Sequence, residues 1–148
     1  MHFAETLRLW PPALMLDRVC VKPYIIEPVH EGEKPVHLQK GDTIWIPTVS
    51  IQRDEKYYPN PLVFDPERFN DENKSKIDPY TYTPFGVGPR NCIGSRFALL
   101  EIKIICVHLL SKFEFVATNK TQIPLELTKA ANLLAVDGGM WIGLKCRE

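Results

Sequence analysis

The stretch F-G-V-G-P-R-N-C-I-G, at residues 85–94, carries the most information about this 148-residue sequence. Its three glycines and one proline predict a tight turn that brings Cys92 to the start of a helix. Backbone N–H groups and the positive end of a helix stabilise a thiolate there, and Arg90 adds a fixed cation nearby in sequence. These features suit a metal-bound, anionic, flat cofactor, whereas a buried structural cysteine in a glycine-rich loop is the alternative.

A long helix is predicted after this turn, over residues 94–113. Its apolar residues recur at helical spacing, which indicates an amphipathic helix. The apolar positions are Phe97, Leu100, Ile104, Val107 and Leu110, and the basic ones on other faces are Arg96, Lys103 and Lys112. Farther on, apolar runs on both sides of D-G-G at 137–139 predict a C-terminal β-hairpin.

Upstream of the turn the sequence predicts a short helix, a small sheet and a long irregular segment. Residues 3–10 have a helical pattern that Pro11 must stop. Residues 19–47 contain short β-branched runs, which predict a strand, a hairpin and another strand. Residues 53–91 are rich in Pro, Asp, Asn and Tyr without periodicity, a very long connection for a compact domain.

Composition and length set the general class. The chain has 18 Lys and Arg against 18 Asp and Glu, so no bulk charge points to nucleic acid or a membrane surface. Its four cysteines lie far apart without a C-x-x-C pair, which argues against a zinc finger and a disulfide framework. The longest apolar stretch, residues 104–107, is far shorter than the ~18 residues of a membrane span. The length predicts one domain that is able to bury a core.

The turn resembles the haem-binding loop of the cytochrome P450 family, F-x-x-G-x-R-x-C-x-G. The matching residues are Phe85, Gly88, Arg90, Cys92 and Gly94. Two further segments resemble the family in the same order: E-T-L-R at 5–8 is similar to its E-x-x-R helix, and P-E-R-F at 66–69 is similar to the segment whose arginine closes a Glu-Arg-Arg cluster beneath the haem. The resemblance covers essentially the whole chain and is strongest to insect xenobiotic-metabolising microsomal members.

The resemblance implies a role for each of these residues. Cys92 would be the catalytic residue and the axial ligand of the iron of haem b. The other implied haem-binding residues are Phe85, Gly86, Arg90, Gly94 and Arg18. Residues implied to touch substrate are Pro12, Ala13, Leu14 and the turn at 136–140, although all of them are equally suited to a plain apolar core.

Glu5, Arg8 and Arg68 form the implied structural cluster. By spacing alone Glu5 and Arg8 are an i,i+3 pair, which contributes only a few tenths of a kcal/mol when solvated. A carboxylate held between two guanidinium groups can be buried only when all donors are satisfied. Such a cluster would therefore attach the first helix to the long irregular segment. Gln52 and Glu55 stand where the family commonly has His and Pro, and we predict no effect on chemistry from either.

The fold implied is an α+β fragment of the mainly helical cytochrome P450 fold, with residues 1–148 as its C-terminal, haem-ligating part. The implied activity is a monooxygenase that uses O2, a small apolar substrate and electrons from NADPH through NADPH–cytochrome P450 reductase. The implied location is the cytosolic face of the endoplasmic reticulum membrane, through an N-terminal anchor upstream. Arg96, Lys103 and Lys112 would help to form a basic surface for the electron donor, with a solvated helix face as the alternative.

Two other functions stay open at this stage. The family's distal helix motif, A/G-G-x-D/E-T-T, does not occur in the sequence, so a truncated, non-catalytic haem-binding or partner-binding remnant is one alternative. A cysteine hydrolase that uses Cys92 is the other, and it requires a histidine base. The four histidines, none in a recognisable motif, are His2, His30, His37 and His108.

Overall fold

The computed structural model describes residues 1–127 and 135–147. The chain forms two compact units, Met1–Pro84 and Phe85–Glu148, which we call the first and second units. Each contains helix and two-stranded antiparallel sheet, as an α+β fragment requires. None of the described helices combines the length and the apolar content that crossing a bilayer demands.

The first unit begins with helix α1, His2–Leu9, which ends before Pro11. A helix of this length is marginal by itself and depends on tertiary contacts. These contacts come from helix α2, Thr48–Gln52, whose last residue and the following Arg53 bond to the terminal carbonyl groups of α1. Helix α2 could not be predicted from the sequence, because five residues, three of them β-branched, show no helical period.

Four short strands follow in the predicted order of strand, hairpin and strand. Strands β1 (Leu16–Val19) and β4 (Thr43–Ile46) pair antiparallel, and strands β2 (Tyr24–Ile26) and β3 (Val36–Leu38) form the hairpin between them. The prediction of one small sheet is wrong, because these are two separate two-stranded sheets. Pro23, just before β2, has no amide hydrogen with which to continue a ladder.

The rest of the first unit is irregular, with short 3₁₀ turns at Pro66–Phe69 and Lys74–Lys76. It surrounds a buried centre that is mainly polar. The buried polar side chains are Glu5, Arg8, Thr48, Gln52, Thr81 and Thr83, and they lie with the buried side chains of Leu9 and Tyr58. The expected apolar core is therefore not found in the part of the chain that the structure describes. Hydrogen bonds and ion pairs among the buried polar side chains contribute much of the stability of the first unit.

The second unit contains the loop at 85–94, helix α3 (Ser95–Lys112), and strands β5 (Phe113–Val116) and β6 (Gly143–Cys146). Strand β6 pairs antiparallel with β5, a partner that the predicted hairpin around D-G-G does not include. Val136, before the D-G-G turn, instead forms an isolated antiparallel bridge with Leu127. The first predicted hairpin run lies partly in residues 128–134, outside the described residues.

The prediction that α3 is amphipathic is also wrong. Its apolar residues lie around most of the circumference, no residue of α3 is buried, and Phe97 and Val107 are 69% and 66% exposed. Arg96 and Lys103 share one side, whereas Lys112 lies about 180° from Lys103 at 3.6 residues per turn. The three basic residues therefore do not form one surface on this helix.

Candidate functional site

A buried ion pair lies at the centre of the first unit. The side chains of Glu5 and Arg8 are both 0% exposed. Arg8 donates two hydrogen bonds to the carboxylate, from Nε to Oε2 and from Nη2 to Oε1, each 2.8 Å long. This paired arrangement is the strongest geometry available to a guanidinium and a carboxylate. The i,i+3 pair in E-T-L-R is therefore a buried ion pair and not a solvated one.

Backbone atoms complete the surroundings of this pair. Arg8 Nη1 donates to the carbonyl of Gln52 at 2.8 Å, and Arg8 Nη2 reaches the carbonyl of Val63 at 3.3 Å. The amide of Asp65 donates to Glu5 Oε1 at 2.9 Å, and the guanidinium carbon of Arg8 lies 5.1 Å from the centre of the Tyr58 ring. Every nitrogen of the Arg8 side chain has an acceptor, which is the condition for burying an ion pair.

The structure brings Arg68 to the same carboxylate, but less tightly than expected. Its Nε lies 3.6 Å from Glu5 Oε1 and has no hydrogen-bond partner among the described residues. Its Nη2 donates to the carbonyls of Pro59 and Asn60, at 2.7 and 3.1 Å. Arg68 therefore contributes charge to Glu5 and fixes the irregular segment mainly through backbone carbonyls.

Two residues for which the sequence predicts no role, Gln52 and Arg53, contact the end of α1. Gln52 is completely buried and bonds through Nε2 to the carbonyls of Leu7 and Arg8, while Arg53 donates through Nε and Nη2 to the carbonyl of Leu9. Burial, followed by the charge of Arg8, lowers the pKa of Arg53. A cation at the negative end of a helix and donors to its free carbonyls are both stabilising.

Two tyrosines join the irregular segment to this centre. The Tyr58 hydroxyl donates to the carbonyl of Thr81 at 3.2 Å, and the Tyr82 hydroxyl donates to the carbonyl of Ala4 at 3.1 Å. Burial raises the pKa of both tyrosines above their ordinary value of 10.0, and the charge of Glu5 adds to both rises. The neutral phenol is thus the form that the folded first unit prefers.

We expect the chain to lose stability in alkali through Tyr82. Because the pKa of Tyr82 is raised in the folded state, the unfolded chain releases the phenol proton at a lower pH than the folded chain does. The contribution of Tyr82 to the free energy of unfolding is therefore complete below pH 10.0 and is lost as pH rises toward the folded-state pKa. Urea midpoints measured from about pH 9 to about pH 11 should fall less steeply in Tyr82→Phe. Tyr80→Phe, at a 71% exposed tyrosine, is the control and should match the parent chain. Equal slopes in all three proteins would contradict the assignment.

Cys92 lies in the loop of the second unit as an exposed free thiol. Its amide donates to the carbonyl of Phe85 at 2.8 Å, which closes the loop between the two ends of the motif. That N–H therefore closes the loop and is not one of the backbone groups that could stabilise a Cys92 thiolate. Gly86 and Gly88 have φ values of +76° and +79°, which only glycine adopts without strain, so the glycines are needed to form the turn.

The other motif residues leave space around the sulfur. Phe85 and Gly86 are half-buried, and Arg90 ends a short 3₁₀ turn, Gly88–Arg90, with an exposed side chain. A Cβ atom added to Gly94 would lie 3.9 Å from Cys92 Sγ, so any longer side chain there would extend beside the sulfur. The loop thus presents one accessible thiol with a cation two residues away in sequence.

The remaining predicted residues lie in the first unit. Arg18 is half-buried on β1 and donates from Nη1 to the carbonyl of Asp17 at 2.6 Å. Pro12 is exposed, while Ala13 and Leu14 are half-buried, and the Leu14 carbonyl accepts from the amide of Val49. These four residues belong to the first unit, whereas the Cys92 loop belongs to the second.

The donor chemistry of the loop fits a haem. In residues 1–127 and 135–147, no group of three or more His, Cys, Asp or Glu side chains could hold a bare metal ion. A single accessible thiol suits an iron whose other ligands come from a macrocycle, and thiolate is a recognised axial ligand of haem iron. Exposed Arg90 suits the carboxylates that such a macrocycle carries.

Comparison with known proteins agrees with this chemistry. Residues 1–141 match the family Cytochrome P450. The chain is 54% identical over 147 residues to cytochrome P450 9e2 of Blattella germanica, 51% identical over 144 residues to probable cytochrome P450 9f2 of Drosophila melanogaster, and 47% identical over 127 residues to cytochrome P450 3A12 of Canis lupus familiaris. These matches cover 99%, 97% and 86% of this chain, and 27%, 27% and 24% of the relatives.

The chain therefore belongs to the cytochrome P450 family, a family of haem-thiolate monooxygenases. The family resemblance inferred from the three motifs is confirmed. The chain spans about a quarter of the length of these curated relatives.

Proposed function

We propose that this chain is the C-terminal, haem-ligating part of a haem-thiolate monooxygenase. The observation that carries the proposal is the accessible Cys92 sulfur, in a loop that the Cys92 amide and the Phe85 carbonyl close. Membership of the cytochrome P450 family over residues 1–141 supports it. In this proposal Cys92 is the catalytic residue, because its sulfur touches the iron.

Each loop residue has a role in this proposal. Cys92 binds the iron of haem b as a thiolate, and Phe85, Gly86 and Gly94 line the loop against the macrocycle. Arg90 and Arg18 pair with its propionates. When bound, the haem would supply the redox chemistry that reduces dioxygen, and the Cys92 thiolate would tune that chemistry by donating electron density to the iron. Glu5, Arg8 and Arg68 hold the first unit together and take no part in chemistry.

The reaction that we propose adds one oxygen atom of O2 to a small apolar substrate and releases the other as water. Two electrons and two protons balance it, and NADPH supplies the electrons through NADPH–cytochrome P450 reductase. Pro12, Ala13 and Leu14 are the proposed substrate contacts. We further propose that the whole enzyme lies on the cytosolic face of the endoplasmic reticulum membrane.

Haem binding tests the proposal, and it is measured on the complete protein, by which we mean the whole enzyme of which we propose this chain to be the C-terminal part. We expect one haem per chain, and we expect Arg90→Gln to weaken haem binding about tenfold or more, since a hydrogen bond to a charged group contributes about 1.5–3 kcal/mol. Arg96→Gln, at another exposed arginine of the second unit, is the matched control and should bind like the parent. A titration followed by absorbance measures all three, and a complete protein that retains no haem would contradict the proposal.

A further inference from the structure

Gln52 uses all of its polar atoms inside the first unit. Its side chain is completely buried, and Nε2 donates to the carbonyls of Leu7 and Arg8 at 3.1 and 2.9 Å. Its Oε1 accepts from the amide of Thr83 at 2.9 Å, and its backbone carbonyl accepts from Arg8 Nη1 at 2.8 Å. A primary amide has two N–H donors and one strong acceptor, so this side chain is fully matched to its surroundings.

These bonds join three segments that are distant in sequence. The Leu7 and Arg8 carbonyls belong to the last turn of α1, where helices leave carbonyl groups without an intrahelical partner. The Thr83 amide belongs to the irregular segment, and Thr83 is 5% exposed, so this N–H has little access to water as a substitute. Thr83 precedes by two residues Phe85, where the loop of Cys92 begins.

We propose that Gln52 is a positioning residue for thiolate ligation. It fixes the backbone at Thr83 against α1 and its Glu5–Arg8 pair, and so fixes the point from which the chain enters the Cys92 loop. This inference rests on the proposed haem-thiolate function, and Gln52 itself touches neither haem nor substrate in it. The sequence alone predicts no effect for Gln52, because nothing in it connects residue 52 to residues 7, 8 and 83.

The amide chemistry explains why glutamine suits this position. A neutral imidazole has one donor and one acceptor, so a histidine would leave one carbonyl of α1 without a bond. A carboxylate would keep the acceptor toward Thr83 and lose both donors. The charged groups on the elements packed here are Glu5 and Arg8 of α1 and Arg53 beside Gln52, so a new charge would also perturb the ion pair.

Hydrogen exchange at the Thr83 amide tests the connection directly. In Gln52→Leu we expect this amide to exchange about tenfold to hundredfold faster, relative to the other protected amides of the protein, because its acceptor is gone. In Gln52→Glu the Thr83 amide should keep its protection while the amides of α1 exchange faster. Gln39→Leu, at an exposed glutamine, is the matched control. A Thr83 amide that changes only in parallel with all other amides in both variants would overturn the inference.

The haem-loaded complete protein tests the positioning role. We expect Gln52→Leu to convert part of the thiolate-type signal of the reduced carbon monoxide complex to a non-thiolate type, and Gln39→Leu to leave the signal unchanged. A full thiolate-type signal in Gln52→Leu would overturn the positioning role. If Gln52→Leu does not fold, Gln52→Ala, which also removes the acceptor of the Thr83 amide, is read in the same way. If the parent protein holds no haem, the proposed function fails, and Thr83 exchange still decides whether Gln52 makes the connection.

Discussion

Replacing Arg8 by methionine is expected to lower the free energy of unfolding by about 3–5 kcal/mol, the usual cost of breaking a buried ion pair on one side. The Glu5 carboxylate would stay 0% exposed and lose both of its 2.8 Å hydrogen bonds from Arg8. The Asp65 amide and the more distant Arg68 Nε would be its remaining partners. Since whole domains are stable by only about 5–15 kcal/mol, this single change would remove much of the stability.

Urea unfolding followed by circular dichroism measures this loss. Lys74→Met is the matched control, because Lys74 forms an exposed i,i+3 pair with Asp71, and water screens such pairs so that they contribute little to stability. The double variant Glu5→Gln with Arg8→Met should be more stable than the sum of the two single losses predicts, because no unpaired charge stays buried. An Arg8→Met chain within about 1 kcal/mol of the parent would show that the pair is not structural.

Cys92→Ser is expected to abolish the thiolate-type signal of the reduced carbon monoxide complex completely. A serine hydroxyl in the same loop keeps the size of the side chain but removes the soft, electron-donating sulfur. Because Cys92 and Cys146 are both exposed free thiols, Cys146→Ser tests whether any accessible sulfur can take the role. We expect Cys146→Ser to keep the full signal.

Cys92→His separates the sulfur from the loop that carries it. Imidazole is also an axial haem ligand, so this variant should retain haem and give a non-thiolate signal of the reduced carbon monoxide complex. The difference spectrum of the complete protein measures each variant. A thiolate-type signal that persists in Cys92→Ser would assign the ligand to another cysteine.

Parts of the site that depend on neighbouring residues could be predicted from the sequence. The loop of Cys92 follows from glycines that permit positive φ within ten residues, and the Glu5–Arg8 pair follows from i,i+3 spacing on one helix. The other partners of this pair could not be predicted, because they are backbone groups such as the Asp65 amide and the Gln52 carbonyl. Every residue has a backbone carbonyl, and every residue except proline has a backbone N–H, so these groups cannot be singled out in a sequence.

The errors in the fold have a similar physical origin. An extended backbone depends on a strand's own residues, but the choice of partner strand depends on contacts that are distant in sequence. The pairing of β6 with β5 across 26 intervening residues, 117 to 142, could therefore not be predicted. The sequence predicts one apolar face for α3 because apolar residues recur along it at helical spacing. Apolar residues also occupy most of the positions on its other faces. A helix that is apolar all round is typical of a buried position, yet no residue of α3 is buried in this structure.

The most direct test of the central claim is X-ray absorption at the iron edge of the haem-loaded complete protein. The claim is that the sulfur of Cys92 binds the iron. We predict four nitrogen neighbours and one sulfur neighbour in the parent protein and in Cys146→Ser, and no sulfur neighbour in Cys92→Ser. An iron with only nitrogen or oxygen neighbours in the parent protein, or a sulfur neighbour that persists in Cys92→Ser, would contradict the claim.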